Sequence, residues 1–196
     1  MFTGIIESRA RLISKMVNGT NATLLFASEI TNELKVDQSL SHNGVCLTVE
    51  SVNDAQYTVT AIDETLKKTN LGDLEIGQTV NLERCMLANG RFDGHIVQGH
   101  VDQKGTCTAV KDCKGSWELS FSFDTSLNNV VVEKGSICIN GISLTVFNVS
   151  DDSFSVAIIP YTWEHTNLSE LHVGNSVNLE FDILGKYISK LLHKNQ

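Results

Sequence analysis

The chain has 196 residues, of which 41% are hydrophobic and 19% charged, a balance typical of a folded globular protein and not of a disordered one. Its 23 acidic and 15 basic residues give a formal net charge of -8. Because the phosphates of nucleic acids are bound by clusters of Lys and Arg, an acidic chain with interspersed charges is not expected to bind DNA or RNA.

The first residues of the chain do not resemble an export signal. The segment from Met1 to Ile6 has neither a basic leader nor a long apolar core, and the acidic Glu7 interrupts it. No apolar run approaches the roughly 18 residues that span a bilayer. We therefore expect a cytoplasmic protein without a membrane partner.

The five cysteines lack close C-x-x-C pairs. In a cytoplasmic protein they are expected to be reduced thiols, so a disulfide between Cys107 and Cys113 is disfavoured. Cys85 and Cys138 are most simply interpreted as core residues.

The dominant feature of the sequence is an internal repeat. The run NGVCLTV at residues 43–49 returns as NGISLTV at residues 140–146, a shift of 97 positions (140 − 43). The same shift places VNLE at 80–83 over VNLE at 177–180. The starts of the two copies align at a shift of 95 (99 − 4), with GIIE at 4–7 over GHVD at 99–102. This repeat predicts two homologous units, residues 1–94 and 95–182.

Within each unit the pattern is that of short β-strands. Val45, Leu47 and Val49 alternate with Cys46 and Thr48, and Asn-Gly, Asn-Asp and Asp-Asp turn signals recur about every ten residues. Strands of this kind predict a small barrel, which leaves no exposed sheet edge. The alternation lapses at residues 65–71 and 162–168, where short helical segments are expected.

The chain beyond residue 182 has no counterpart in the first copy. Apolar residues recur there at helical spacing, which predicts a C-terminal helix over residues 183–196. Its apolar stripe either caps a barrel or joins subunits. The stripe is formed by Ile183, Leu184, Tyr187, Ile188, Leu191 and Leu192.

Small polar side chains occupy the outward face of the strand that follows each Asn-Gly turn. Cys46 and Thr48 share this face in the first copy, and Ser143 and Thr145 share it in the second. They are either ordinary solvent-facing residues or the polar wall of a shallow pocket. Their recurrence at matched places favours the pocket.

His100 is the sharpest difference between the copies, because the aligned position in the first copy holds Ile5. Imidazole titrates near neutral pH and can pass a proton in either direction, so His100 is a candidate acid–base group; the alternative is a structural histidine. A metal site with His95 is not expected, since a spacing of five puts the two side chains on opposite faces of a strand. No glycine-rich phosphate loop occurs, which argues against nucleotide-dependent chemistry.

Several motifs together resemble the riboflavin synthase family. They are MFTGIIE at the start of the chain, the pair NGVCLTV and NGISLTV, and the runs TNLGDLEIGQTVNLER, GHIVQGHVD and IIPYTWEHTNL. The resemblance covers essentially the whole chain and implies an all-β fold of two tandem homologous six-stranded antiparallel β-barrels with a C-terminal α-helix. It also implies a homotrimer and neither cofactor nor metal. A lumazine synthase is a candidate further partner.

The reaction that this resemblance implies is a dismutation. One molecule of 6,7-dimethyl-8-ribityllumazine gives a four-carbon unit to another, which forms riboflavin and 5-amino-6-ribitylaminouracil in the last step of riboflavin biosynthesis. Each active site would lie between the N-terminal barrel of one subunit and the C-terminal barrel of another. The main alternative is a non-catalytic antenna protein that binds a lumazine or flavin, and a second alternative is a structural module without a small ligand.

The resemblance further implies which positions bind the two substrate molecules. The N-terminal pocket would be lined by Gly4, Ile5, Ile6, Cys46, Leu47, Thr48, Thr60, Ala61, Ile62, Asp63, Glu64 and Thr65, and completed by Gly99, His100 and Val101. The C-terminal pocket would be lined by Ser143, Leu144, Thr145, Ile159, Pro160, Tyr161, Thr162, Trp163 and Glu164, with Lys134 reaching in from a neighbouring subunit.

Five residues receive catalytic roles as hypotheses. His100 would help remove a proton from the 7-methyl group of one lumazine, whose carbanion is delocalised over the ring. Ser143, Thr145 or Cys46, or a water that they hold, would add to the second lumazine and activate it as the acceptor. Asp182 matches a family carboxylate and is expected to orient Ser143.

Overall fold

The computed structural model describes residues 1–193, which form two closed antiparallel β-barrels followed by a helix. The first barrel contains β1 (Ser8–Asn18), β2 (Asn21–Ser28), β3 (Ser39–His42), β4 (Val45–Asn53), β5 (Gln56–Ala61) and β6 (Thr79–Arg84), with α1 (Asp63–Lys68) before β6. The second contains β7 (Gln103–Asp112), β8 (Trp117–Ser122), β9 (Ser136–Ile139), β10 (Ile142–Phe147), β11 (Ser153–Ile158) and β12 (Ser176–Phe181), with α2 (Pro160–His165) before β12. The chain ends in α3 (Ile183–His193), and short 3-10 turns lie at Thr31–Glu33, Thr125–Leu127 and Asn167–Glu170.

The two barrels have the same strand order, which confirms the predicted pair of homologous six-stranded barrels with a C-terminal helix. Around the first barrel the order is β1-β2-β5-β4-β3-β6, and around the second it is β7-β8-β11-β10-β9-β12. The last three residues of the predicted helix, 194–196, lie outside the described part of the chain. Over residues 1–193, no helix has both the length and the apolar character needed to cross a bilayer.

The alternation of side chains gives β4 one buried face and one outer face. Val45, Leu47 and Val49 are buried in the core of the first barrel, whereas Cys46 is half-buried and Thr48 is exposed on the outer face. Burial of a Val or Leu side chain contributes about 1.5–3 kcal/mol to folding, so a slip by one residue would be strongly disfavoured.

The two helical segments begin two residues earlier than the sequence predicted. Helix α1 starts at Asp63 and α2 starts at Pro160, directly after the extended residues Ile62 and Ile159. Acidic side chains favour the first turn of a helix, and proline is well tolerated at its first position. Both helices then end at a threonine with extended backbone, so the predicted continuation to Leu71 and Leu168 does not occur as α-helix.

Of the two cysteines that were expected in the core, one is buried and the other is exposed. Cys138 is fully buried at the contact between the barrels. Cys85 is exposed, because β6 ends at Arg84 and the chain leaves the barrel there. The prediction for Cys85 was therefore wrong. All five cysteines are free thiols.

The barrels exchange the segments that lead into them. Residues 1–7, the first leading segment, cross to the second barrel, and residues 95–102, the second leading segment, cross to the first. Phe2 and Val97 pair where the segments meet, with N–O distances of 2.7 and 3.1 Å. Farther along, Ile6 packs against the core of the second barrel, and Val101 packs against the core of the first. Each barrel is therefore completed by the other half of the chain.

A symmetric network of buried asparagines joins the barrels elsewhere. Asn81 Nδ2 donates to the carbonyl of Asn140 at 2.9 Å, and Asn178 Nδ2 donates to the carbonyl of Asn43 at 2.8 Å. All four residues are at least 97% buried. Because a buried amide without partners is costly, these paired bonds fix the relative orientation of the two barrels.

Candidate functional site

A cavity of about 500 Å³, the first cavity, lies where the second leading segment crosses the first barrel. Its walls come from β4, from α1, from the leading segment and from the first turn of α3. The side chains that line it are Val45, Cys46, Glu64, Thr65, Lys68, Thr69, Gln98, Gly99, His100, Val101, Asp102, Ile183 and Lys186. The structure therefore brings Cys46, Glu64, Thr65 and the predicted run 99–101 together.

The carboxylate of Glu180 holds the second leading segment in place. It accepts the backbone N–H groups of Gln98, Gly99 and His100 at 2.6, 3.0 and 2.9 Å. Burial raises the pKa of Glu180, and the hydrogen bonds that the carboxylate accepts oppose that rise. The ionised, acceptor-only form of the carboxyl group can accept all three of these donors at once.

Gly99 brings this segment close to the wall of the first barrel. Its carbonyl accepts the N–H of Cys46 at 2.9 Å. A side chain at Gly99 would place its Cβ 2.6 Å from Cys46 Cβ, and the φ of +82° favours glycine. The position of His100 beside Cys46 thus depends on a glycine immediately before it.

The first leading segment repeats this arrangement against the second barrel. Glu83 accepts the N–H and the hydroxyl of Thr3, at 2.6 and 2.8 Å, and the N–H of Gly4 at 2.9 Å. The carbonyl of Gly4 in turn accepts the N–H of Ser143 at 2.8 Å. Ser143 and Cys46 therefore occupy equivalent places, and each touches the leading segment of the other half of the chain.

A second cavity, of about 490 Å³, lies between α2 and the start of β1. It is lined by Ile6, Glu7, Ser8, Arg9, Ala10, Arg11, Ala27, Ser28, Glu29, Thr79, Tyr161, Glu164 and His165. Of the predicted binding residues, Ile6, Tyr161 and Glu164 line it. Tyr161 stacks on His165 with ring centroids 4.1 Å apart.

The remaining predicted binding residues lie around these cavities without lining them. Leu47 and Ala61 point into the first core, so their backbone is what they can offer a ligand. Leu144 and Trp163 pack against the second core, and Trp163 stacks on Trp117 at 4.4 Å. Gly4 is buried. The others are exposed or half-buried on the outer face: Ile5, Thr48, Thr60, Ile62, Asp63, Thr145, Ile159, Pro160 and Thr162.

Lys134 lies on the surface of the second barrel, in the loop before β9. Its ammonium group is 3.7 Å from Glu133 and 5.4 Å from the centre of the Phe147 ring. It lines neither cavity of its own chain. Its reach into a neighbouring subunit stays a prediction.

His95 is a functional candidate that sequence reasoning set aside. The ring nitrogen Nδ1 of His95 lies 2.7 Å from the hydroxyl of Ser143, and the backbone N–H of His95 donates to the carbonyl of Thr3. Burial lowers the pKa of His95, and the charge of Asp182 opposes that change. A neutral imidazole can accept the hydroxyl proton of Ser143 in a hydrogen bond. Among the described residues, the equivalent thiol of Cys46 has no such histidine.

Asp182 lies at the start of α3. Its Oδ1 accepts the N–H of Leu184 at 3.0 Å, which caps the helix. It acts on His95 through its charge, and His95 is the hydrogen-bond partner of Ser143. The predicted influence of Asp182 on Ser143 would therefore pass through the imidazole. In residues 1–193, no group of three or more His, Cys, Asp and Glu side chains could hold a metal ion.

Comparison with known proteins gives the same two-part division. A model of the lumazine binding domain matches residues 3–85 and again residues 98–182. The riboflavin synthase of Actinobacillus pleuropneumoniae is 44% identical over 195 residues, which cover 99% of this chain and 91% of that protein. The riboflavin synthase of Bacillus subtilis (strain 168) is 41% identical over the same length, with the same coverage. The chain belongs to the riboflavin synthase family.

Solved structures agree with this family assignment at the level of the fold. The structure of LumP complexed with riboflavin has a TM-score of 0.85 and 23% identity, and covers 92% of this chain and 99% of its own. The structure of LumP complexed with 6,7-dimethyl-8-(1'-D-ribityl) lumazine has a TM-score of 0.83 and 22% identity, with the same coverage. The duplicated barrel of the riboflavin synthase family is thus shared with a protein crystallised with lumazine and flavin ligands.

Proposed function

We propose that this chain is a riboflavin synthase, a transferase that converts two molecules of 6,7-dimethyl-8-ribityllumazine into riboflavin and 5-amino-6-ribitylaminouracil. Its family membership over nearly the full length supports this assignment. The structural observation that best supports it concerns Cys46 and Ser143, which occupy equivalent places in the two barrels but have unlike neighbours. Cys46 touches the segment that bears His100, whereas Ser143 pairs with His95. Two identical substrates with opposite roles require sites that are alike in shape and unlike in chemistry.

The proposed mechanism begins at the first cavity. A lumazine bound there would lie beside the imidazole of His100, which takes a proton from the 7-methyl group. The carbanion that remains is delocalised over the ring, so the base need not be strong. General-base assistance of this kind contributes about 10²–10⁴-fold to a rate.

The second lumazine would bind at the second barrel, accept the attack of the carbanion and give up its four-carbon unit. Ser143, whose hydroxyl is polarised by His95, or a water held by Ser143 and Thr145, would add to its ring. The carbanion then attacks the activated second lumazine, and a second C–C bond closes a new six-membered carbon ring. The added nucleophile leaves, and the two C–N bonds that hold the four-carbon unit of the second lumazine break, with protons going to the freed nitrogens. The first lumazine keeps that unit and becomes riboflavin, and the second becomes 5-amino-6-ribitylaminouracil. Holding the two rings in contact supplies much of the acceleration, because a reaction between two molecules becomes effectively unimolecular.

We further propose that the active enzyme is a homotrimer joined through α3. Leu184, Tyr187, Ile188, Leu191 and Leu192 have 59–67% of their surface exposed, although they form the apolar stripe of the helix. The stripe does not cap a barrel of its own chain, which favours the subunit contact. In a trimer, the N-terminal barrel of one subunit would face the C-terminal barrel of the next and complete the active site.

The trimer is tested by sedimentation of the full chain and of the variant Ile188→Glu. The wild-type chain should sediment as a trimer, and the variant should dissociate and lose turnover while each chain stays folded. A wild-type chain that sediments as a monomer and still forms riboflavin would contradict this assembly. Association with a lumazine synthase and residence in the cytoplasm stay predictions.

The activity is tested by incubating the purified protein with 6,7-dimethyl-8-ribityllumazine. One riboflavin should form for every two lumazines consumed, without any added cofactor. Tight binding without riboflavin would instead identify a non-catalytic antenna. The absence of binding would leave a structural module as the function.

A further inference from the structure

The first turn of α3 forms part of the wall of the first cavity. Ile183 and Lys186 line the cavity together with His100 and Asp102. The ammonium group of Lys186 lies 2.6 and 2.8 Å from the two carboxylate oxygens of Asp102. Only 27% and 22% of these two side chains are exposed. The ion pair therefore ties the helix directly to the segment that carries His100.

The other half of the chain anchors its leading segment differently. Glu7 is the counterpart of Asp102, and its carboxylate is 2.6 Å from Nη2 of Arg84, a residue of β6. The position in β12 that matches Arg84 holds Phe181, which offers no cation. Asp102 therefore takes its cation from α3, outside the barrel.

We propose that Lys186 is a positioning residue for the first cavity, and this inference rests on the proposed function. Glu180 fixes the middle of the second leading segment through three N–H groups, while Lys186 fixes its end through Asp102. His100 lies between these two anchors. The placement of its imidazole relative to Cys46 is thus set in part by the position of α3.

A consequence is that the two substrate sites respond unequally to the helix. The cavity beside β4 includes two residues of α3, whereas the cavity beside α2 includes none. Beyond its first turn, α3 exposes its apolar stripe. A subunit that covers this stripe would therefore shift or hold the first cavity through Lys186 and leave the second cavity unchanged.

The test compares Lys186→Met with two matched variants. Lys186→Arg keeps the charge and should retain function, and Lys190→Met removes an exposed charge one turn farther along α3. Total lumazine binding is followed by lumazine fluorescence. Binding near α2 is followed by quenching of Trp117 and Trp163, which are the only two tryptophans of the chain and stack on each other where α2 packs against the core of the second barrel.

Lys186→Met should weaken one class of lumazine site by about fivefold, equivalent to about 1 kcal/mol for a partly buried ion pair. KM should rise more than kcat falls, the tryptophan-quenching titration should stay unchanged, and Lys190→Met should behave as the wild type. In a double-mutant cycle, Asp102→Asn should make Lys186→Met silent, because the lysine acts through that carboxylate.

Equal affinity in Lys186→Met and the wild type would overturn the proposal. So would a parallel loss at both sites together with a lower free energy of unfolding, because that result would assign Lys186 a general structural role. Failure of the proposed function is distinguishable, since in that case the wild-type chain itself would not bind lumazine or form riboflavin.

Discussion

Gly44 and Gly141 meet backbone to backbone at the contact between the two barrels. A Cβ atom on Gly44 would lie 2.9 Å from the amide nitrogen of Gly141, and a Cβ on Gly141 would lie 2.8 Å from that of Gly44. Both residues have a positive φ, +79° and +82°. Two copies of the same Asn-Gly turn therefore face each other across this contact.

We expect Gly44→Ala to lower the free energy of unfolding by about 2–4 kcal/mol. The positive φ accounts for about 1–2 kcal/mol, and the overlap with Gly141 accounts for the rest. Gly19→Ala is the matched control, because Gly19 also has a positive φ, +63°, but has no atom within 4 Å of the added Cβ. Urea unfolding followed by tryptophan emission measures both. Equal losses in the two variants would show that the barrels can separate enough to admit a methyl group.

The core of the first barrel contains a polar pair that the second barrel lacks. His42 Nε2 lies 2.9 Å from the hydroxyl of Tyr57, and the equivalent pair in the second barrel is Ile139 and Phe154. Burial lowers the pKa of His42 from 6.5 to about 3. Between these two pH values, His42 binds a proton in the unfolded chain but not in the folded chain. The free energy of unfolding therefore falls as the pH falls.

We therefore expect the free energy of unfolding to drop by about 2 kcal/mol between pH 6.5 and pH 4.5 on account of His42, because the slope is about half of its full value of about 1.4 kcal/mol per pH unit at pH 6.5 and approaches that value at lower pH. The double variant His42→Ile/Tyr57→Phe copies the residues of the second barrel and should lose this dependence. Glu83 and Glu180 titrate in both proteins, so the difference between the two stability curves isolates His42. Parallel curves would contradict the prediction.

The barrels could be predicted well from the sequence because each strand of a barrel has its own pattern of alternating buried and exposed residues. Alternating residues in β4 and β5, and turns at the same places in both copies, are enough to define two similar closed sheets. The alternation of buried and exposed residues is absent from β6 and β12, where four consecutive residues from Val80 and five from Val177 are buried. Both faces of these strands are covered, one by the core and the other by the contact between barrels.

The contacts that hold the site together are harder to predict from the sequence. Glu83 and Glu180 are visible as the last letters of a repeated VNLE, but nothing local indicates that their carboxylates bind the leading segments. The pairing of His95 with Ser143 joins residues 48 positions apart on different elements. Such contacts depend on how the barrels pack together, which the pattern within one strand does not encode.

Replacing the carboxylates with amides should loosen the two leading segments separately. In Glu180→Gln an NH₂ group replaces one acceptor oxygen and faces backbone donors, which should lower the free energy of unfolding by about 1–3 kcal/mol and turnover by at least about tenfold. Glu83→Gln should do the same for the first segment. Lumazine titrations should show one weakened site in each variant and two in the double variant. Loss of the same site in both single variants would refute the independence of the two anchors.

His100→Gln should separate chemistry from binding. If His100 takes the proton from the 7-methyl group, kcat should fall by about 10²–10⁴-fold, while lumazine affinity stays within about threefold because the backbone of the segment is still held by Glu180. His172→Gln is the control, since His172 is exposed and lines neither cavity. Exchange of the 7-methyl protons with deuterated solvent provides the second readout, because it reports deprotonation without the later steps. Normal exchange and turnover in His100→Gln would remove this residue from the chemistry and leave His95 as the candidate acid–base group.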